Sequence, residues 1–357
     1  LVDGTTNTLS DGTSYEYADG EDEPDATLFV KNNLTINGNG SLNIDSNFAA
    51  AIKSKDNLII LGGNIYIDSV DKAIKGKDSV TIENANITIN AEDDGITTDG
   101  ALVINSGNIN IEKAGEGLEG VSIDINGGNI DIVASDDGIN AAGDSTDGSQ
   151  VSYAINISGG DIKIIPGGDG IDSNGDLNIS GGNIVVDGPS NGGNAPIDYD
   201  GTGTITGGSI LATGNSGMFQ GFNGNNSTQS SIIYYLDNNA ATGATIKISD
   251  ESGKELFTSA DQTQSYNAVL YSSAEIESGK NYKVSVGNSE GSVTAGNSQG
   301  GNFGQPPQGQ PPEMNGNFKG RGGNGQVQPP QGQPPQGGMV GNSQGGNVGQ
   351  PPEMNGN

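Results

Sequence analysis

The chain has 357 residues and a formal net charge of −30, and this acidic excess argues against nucleic acid as a partner because phosphates would be repelled. It contains no Cys and no His, which excludes disulfides, thiolate or imidazole-bound zinc and the usual catalytic triads. No apolar run of about 20 residues is present that would span a membrane.

The composition favours short strands separated by turns. Glycine is abundant, with 61 residues, and apolar residues make up only 31%, while Ile and Val occur in short alternating runs. The chain begins at Leu1 rather than at Met, so we expect that a signal peptide was removed and that the protein is secreted, on the cell surface or beyond it.

A repeat of about 22 residues follows an N-terminal segment, residues 1–25, which we expect to form a strand or cap. One column of the repeat is the apolar residue of each Gly-Ile-like pair: Ile52, Ile74, Ile96, Leu118, Ile139, Ile171 and Ile197. Two more apolar columns keep the same step, which gives three short strands per repeat. This arithmetic predicts an all-β fold, a right-handed three-sided parallel β-helix of about eight coils over residues 26–228.

A turn of the repeat carries a column of amides, Asn64, Asn86, Asn108, Asn129 and Asn183, with Asp161 in the same place. Asn side chains stacked at strand spacing hydrogen-bond along the coil axis, so we interpret this column as a stabilising ladder.

The pattern changes after the helix. Residues 229–295 alternate between apolar and polar types around short turns and are predicted to form a small antiparallel β module. Residues 296–357 are rich in Gly, Pro, Gln and Asn, cannot bury a core, and are predicted to be a low-complexity tail.

Acidic residues recur beside the Gly-Ile pairs. Asp94, Glu116, Asp137 and Asp169 all lie two positions before the apolar anchor, in four consecutive coils. At one strand spacing and an effective dielectric near 20, each like-charged pair repels by about 3 kcal/mol. Protonation, exposure to water or a bound cation would relieve this repulsion.

Clustered hard oxygen ligands are what Ca²⁺ takes, about six to eight at a time. The sequence therefore predicts Ca²⁺ as cofactor, and a solvated acidic face is the alternative. The residues predicted to bind Ca²⁺ are Asp93, Asp94, Asp99, Glu116, Glu119, Asp136, Asp137, Asn140, Asp169, Asp172, Asn174, Asp198 and Asp200.

The first coils carry the opposite charge, with Lys53 stacked near Lys75 and Lys55 near Lys77. These lysines form either a charge-balanced surface or a cradle for a carboxylate-bearing sugar held between lysine and Ca²⁺. The chain has no Trp, the usual platform for glucan, and Tyr199 is the best-placed substitute.

Several segments resemble a family of secreted clostridial carbohydrate-binding parallel β-helix proteins that is related in fold to family 9 pectate lyases. The segments are residues 11–42, residues 73–82, the Asp-Asp-Gly-Ile coils and the "SSIIYYL" module, and the resemblance extends over residues 8–290. It implies a calcium-binding β-helix that attaches to cellulose and to acidic, pectin-like chains.

In the related lyases, an Asp-Asp-x-x-Asp pattern with an acid from the preceding coil binds Ca²⁺, and a lysine abstracts the proton. Asp136, Asp137 and Asn140 match that pattern, and Asp169 and Asp172 match it with Gly168 at the first place.

Three functions stay open at this point. The first is a calcium-dependent polysaccharide binder without catalysis, the second a calcium-dependent pectate lyase, and the third a self-assembling protein whose coils stack end to end into filaments. Lys113 and Lys163 lie on other columns than the acids, so we assign no catalytic residue and favour binding.

Overall fold

A computed structural model describes residues 1–143 and 151–296, whose strands form three long sheets around one narrow core and a fourth small sheet. The predicted tail from residue 297 onward lies outside the described residues. The described residues include no helix, and therefore none long and apolar enough to cross a membrane.

Sheet A contains nine parallel strands, one for each passage of the chain along this face. They are Thr6–Ser10, Ser41–Ser46, Asn64–Ser69, Ala85–Ala91, Gly107–Ala114, Asn129–Ala134, Asp161–Ile165, Asn183–Asp187 and Ser209–Gly214. Tyr266–Ser272 and then Ser231–Ala240 extend this sheet in antiparallel orientation.

Sheets B and C have eight parallel strands each. Those of sheet B are Ala26–Val30, Ala50–Ser54, Ile74–Gly76, Ile96–Thr98, Leu118–Gly120, Ile139–Ala141, Ile171–Ser173 and Ile197–Tyr199. Those of sheet C are Leu34–Ile36, Asn57–Ile60, Ser79–Ile82, Ala101–Ile104, Ser122–Ile125, Ala154–Ile157, Asp176–Ile179 and Gly203–Ile205. The predicted parallel β-helix of about eight coils is confirmed.

The register is the one that the repeat predicts. Ile96 pairs with Ile74 in the coil before it and with Leu118 in the coil after it. Alternate side chains point inward because a strand repeats every two residues, and the inward isoleucines, such as Ile96, are fully buried. Burial of apolar surface in this way contributes about 25 cal/mol per Å².

The amide column forms the predicted ladder. Asn86 Nδ2 donates to Asn64 Oδ1 at 2.9 Å, Asn108 donates to Asn86 at 2.6 Å, and Asn129 donates to Asn108 at 2.8 Å. Asp161 has no amide hydrogen to continue the series, and it accepts a bond of 2.7 Å from Asn183 instead.

The C-terminal module is antiparallel, as predicted. Its separate sheet D consists of Glu255–Ser259, Ile246–Asp250, Asn281–Val286 and Ser289–Thr294. The strand Tyr266–Ser272 pairs with Ser209–Gly214 and thereby covers the last edge of sheet A. The buried Asp187 carboxylate accepts bonds from the backbone N–H of Thr263 at 2.5 Å and from its hydroxyl at 2.6 Å, which fixes the module to the last coils.

We expect Ile89→Ala to lower the free energy of unfolding by about 2–5 kcal/mol, because it leaves a cavity at a fully buried position of the column. Val70→Ala is the matched control, since Val70 is 50% exposed and its loss creates no cavity. Urea denaturation of both variants measures the difference, and equal effects would contradict the buried column.

Candidate functional site

A glycine column brings the coils together next to the acidic residues. A Cβ atom on Gly117 would lie 2.4 Å from the carbonyl oxygen of Gly138 and 2.5 Å from Cγ2 of Ile132. Only glycine fits such an approach, which explains the Gly before each anchor residue in these coils.

The acids two positions before the anchor stack in consecutive coils. The N–H of Gly95 donates to the carbonyl of Glu116 at 2.9 Å, that of Gly117 to Asp137 at 3.0 Å, and that of Gly138 to Asp169 at 2.9 Å. The column one position after the anchor is in register as well, with Thr97 beside Glu119 and Asn140 beside Asp172.

Asp94, Glu116 and Glu119 form what we call the first acidic centre. One carboxylate oxygen of each lies within 4.8 Å of the other two. Asp94 is only 5% exposed and Asn140, whose Nδ2 donates to Glu116 Oε1 at 3.1 Å, is 8% exposed. Glu116 Oε2 and Asn140 Oδ1 are both buried without a hydrogen-bond partner. Since unpartnered buried oxygens are rare in folded proteins, this centre is short of a cationic or hydrogen-bonding partner.

Asp137, Asp169 and Asp172 form the second acidic centre, again with one oxygen of each within 4.8 Å of the others. Asp137 Oδ1 accepts a bond of 2.6 Å from the N–H of Asp169. A Cβ on Gly168 would lie 2.4 Å from this same oxygen and 2.5 Å from Asp136 Oδ1. The glycine at the first place of the lyase-like pattern therefore leaves room for carboxylates from the coil before.

Carboxyl groups in both centres have pKa values raised toward neutral pH. Burial raises the pKa of Glu116 to about 7, and the charge of Glu119 adds to the shift. Burial also raises the pKa of Asp94 to about 6, although the bond from Lys72 acts in the opposite direction. In the second centre, burial raises the pKa of Asp137 to about 6 and that of Asp172 to about 7. Each centre is thus a crowded group of carboxylates that a bound cation would stabilise in the charged form.

A hydrogen-bond donor ends the acidic column on each side, a lysine at one end and a backbone N–H at the other. At one end, Lys72 Nζ donates to Asp93 Oδ2 at 2.9 Å and also to Asp94. Burial lowers the pKa of Lys72, but the hydrogen bonds that it donates to Asp94 and Asp93, together with their charges, outweigh burial and raise this pKa above its usual range. At the other end, Asp169 accepts from the backbone N–H of Ala195. Lys72 was not among the predicted site residues. It lies in the same repeat position as Asp94, so aligning the coils could have identified it.

A simple rule separates coils that form a centre from those that do not. A centre forms where one coil has an acid two positions before its anchor residue and another acid one position after it. The preceding coil must also have an acid two positions before its own anchor residue. Glu116 and Glu119 satisfy this with Asp94, and Asp169 and Asp172 satisfy it with Asp137. The coil between them has the neutral Asn140 one position after its anchor residue. Asn140 donates a hydrogen bond to Glu116.

The other predicted ligands lie outside both centres. Asp93 bonds to Lys72, Asp99 pairs with Lys75 at 2.9 Å, and Asp198 accepts from Gln220. The three that remain are exposed side chains: Asp136, Asn174 and Asp200.

Three of the four lysines considered for sugar binding already have carboxylate partners. Lys53 pairs with Asp25 at 2.5 Å, Lys55 pairs with Glu23 at 2.6 Å, and Lys75 pairs with Asp99. Lys77 is exposed and forms no ion pair with any residue in the described part of the chain.

Tyr199 does not offer the stacking surface that the sequence suggested. It is only 6% exposed, and its hydroxyl donates to the carbonyl of Gly221. Its ring is packed in the core because residues after the last coil fold over it, and the repeat contains no information about those residues.

Comparisons with known proteins found two matches that carry the same description. A family model described as carbohydrate-binding domain-containing protein matches residues 1–192 of the 357, more than half of the chain. A protein of Acetivibrio thermocellus with the same description is 40% identical over 68 residues, which are 19% of this chain and 24% of that protein. The chain therefore aligns with about a quarter of this relative's length. No solved structure matches the chain significantly.

In the presence of a chelator, we expect the free energy of unfolding to fall as the pH rises from about 5 to about 7. The raised pKa values mean that the folded chain holds more protons than the unfolded chain in this window, so raising the pH favours unfolding. Glu116→Gln should flatten part of this slope, whereas Glu112→Gln, which replaces an exposed carboxylate, should not. Urea denaturation across the pH range measures the slope, and a stability that rises from about pH 5 to 7 would contradict the crowding of the carboxylates.

Proposed function

The chain belongs to the family of carbohydrate-binding domain-containing proteins, and from this premise we propose that it binds polysaccharide outside the cell, with Ca²⁺ held by the two acidic centres and without cleaving the polysaccharide. The observation that carries the calcium proposal is the first acidic centre, whose buried Glu116 Oε2 and Asn140 Oδ1 have no hydrogen-bond partner.

The chemistry of the donors fits Ca²⁺. Three carboxylates and one amide oxygen are hard ligands, and oxygens up to 4.8 Å apart suit a cation with bonds of about 2.3–2.6 Å. Ca²⁺ takes about six to eight oxygens, so Asp94, Glu116, Glu119 and Asn140 would hold it and still leave positions for other oxygens. The second centre offers Asp137, Asp169 and Asp172 in the same arrangement.

Those remaining positions connect the cation to a sugar. A uronate carboxylate or sugar hydroxyls are oxygen ligands of the kind that Ca²⁺ accepts, and the cation would offset the repulsion between the acidic protein and an acidic chain. The exposed Lys77 adds a positive charge on the lysine-bearing coils.

The state of the lysines supports binding over cleavage. A base that abstracts a proton beside a uronate carboxylate needs a lowered pKa close to the metal. Lys72 contacts the first centre, and its pKa is raised because the hydrogen bonds that it donates to Asp94 and Asp93 outweigh the effect of burial. A lysine held protonated in this way is a poor general base.

The structure of the C-terminal end counts against the filament alternative. The strand Tyr266–Ser272 pairs with the last parallel strand of sheet A, so this edge is not free for a second molecule.

We expect Ca²⁺ to raise the melting temperature of the chelator-treated chain, since a ligand of the folded state stabilises it by about 2.7 kcal/mol at about 100 times its Kd. Glu119→Gln and Asp172→Asn should each reduce this increase, because each removes a carboxylate from one centre. Asp68→Asn is the control, an exposed carboxylate on sheet A. Equal melting temperatures with Ca²⁺ and with chelator would refute the calcium sites.

We expect the intact chain to sediment with insoluble polysaccharide and to bind soluble polygalacturonate only when Ca²⁺ is present. Incubation with polygalacturonate and Ca²⁺ should produce no ultraviolet absorbance of unsaturated uronate, since Lys72, which contacts the first centre, is held protonated. Production of unsaturated uronate would show the lyase alternative, and absence of binding to every polysaccharide tested would refute the binding proposal.

A further inference from the structure

The N-terminal segment, residues 11–25, forms an aromatic pocket together with Ala26, and this segment precedes the repeat. Tyr15, Glu16, Tyr17, Pro24 and Ala26 surround a cavity of about 250 Å³. Drug-sized ligands occupy sites of about 300–1,000 Å³, so this cavity suits a single ring.

The aromatic rings of the pocket are held in place and their polar ends are already bonded. Tyr15 and Tyr17 meet edge to face with centroids 6.2 Å apart, and Tyr15 packs on Phe48 at 4.6 Å. The Tyr15 hydroxyl donates to Asp11 at 2.5 Å, and the Tyr17 hydroxyl donates to the carbonyl of Pro24 at 3.0 Å. These tyrosines therefore offer ring surface to a ligand, and Phe48 supports the Tyr15 ring from outside the cavity.

Contacts with the first coils fix the segment at both ends. Asp11 Oδ1 accepts from the backbone N–H of Asn47 at 2.5 Å. At the other end, Glu23 and Asp25 form the ion pairs with Lys55 and Lys53. A segment pinned in this way loses little entropy when a ligand binds, which is the advantage of a preorganised site.

The charge of the segment selects among sugars. Residues 11–25 contain seven acidic side chains and no basic one, and Glu16 lines the pocket itself. A uronate would be repelled there, whereas a neutral pyranose presents C–H groups to the rings and hydroxyl donors to the carboxylate.

We propose that this pocket is a second carbohydrate subsite, which binds one neutral pyranose ring by stacking on Tyr17 and Tyr15, independently of Ca²⁺ and of the acidic centres. The inference rests on the proposed polysaccharide binding and adds the sugar class that this part of the chain takes.

The absence of Trp in the chain makes a direct test simple. Tyr17→Trp introduces a single indole into the pocket, and we expect its fluorescence to change when cellohexaose is added in the presence of chelator. Tyr66→Trp is the matched control, since Tyr66 is 52% exposed on sheet A and does not line the pocket, and its fluorescence should not change. An unchanged Tyr17→Trp signal, or equal changes in both variants, would overturn the inference.

Affinity measurements on the intact chain separate this inference from the proposed function. We expect Tyr17→Ala to weaken cellohexaose binding about tenfold, as loss of a stacked ring does, while Ca²⁺-dependent polygalacturonate binding stays unchanged. A wild-type chain that binds polygalacturonate but not cellohexaose refutes the pocket and leaves the proposed function intact. A chain that binds neither refutes both, and if Tyr17→Ala fails to fold, the fluorescence of Tyr17→Trp decides.

Discussion

In-register stacking of parallel coils is the constraint on which every other feature of this protein depends. Each coil lies about 4.8 Å from the next, so a residue type that recurs at one position of the repeat becomes a continuous column. Columns of isoleucine fill the core, and a column of asparagine bonds to itself along the axis. The side chains of a carboxylate column cannot stabilise one another in this way, because like charges at this distance repel.

The acidic column shows how the chain limits that repulsion. Lys72 ends it on one side and the N–H of Ala195 ends it on the other. Asn140 interrupts the neighbouring column and separates the carboxylates into two centres rather than one continuous row. Repulsion between the carboxylates within each centre remains, as the raised pKa values of Glu116 and Asp172 indicate. The crowded carboxylates therefore lower the stability of the folded chain near neutral pH, and the proposed Ca²⁺ would offset that loss.

The two ligand chemistries that we propose use opposite properties of the surface. The acidic centres would reach a sugar through a cation, whereas the aromatic pocket would contact a neutral ring directly and repel an acidic one. Lysines of the first coils contact each of the two regions. Lys53 and Lys55 anchor the acidic segment that carries Tyr15 and Tyr17, while Lys72 neutralises the start of the acidic column. A solenoid with both proposed sites would attach at more than one point to a polysaccharide that contains acidic and neutral sugars, and linked sites of this kind add avidity.

The sequence by itself determined the coil, its register and the columns, because in a repeat of about 22 residues the neighbours in space are the neighbours one period away. Ile96 beside Ile74, the asparagine ladder and the stack from Asp94 to Asp169 all follow from counting. Only the tertiary structure decided which side chains of neighbouring columns contact each other. Such contacts depend on the length and direction of each side chain, as in the hydrogen bond from Asn140 to Glu116. The tertiary structure also decided the burial and the partners of residues that contact segments outside the repeat. Tyr199 is buried under the chain that follows the last coil, and Lys53 is paired with the segment that precedes the first. Periodicity contains no information about those segments, so their contacts could not be read from it.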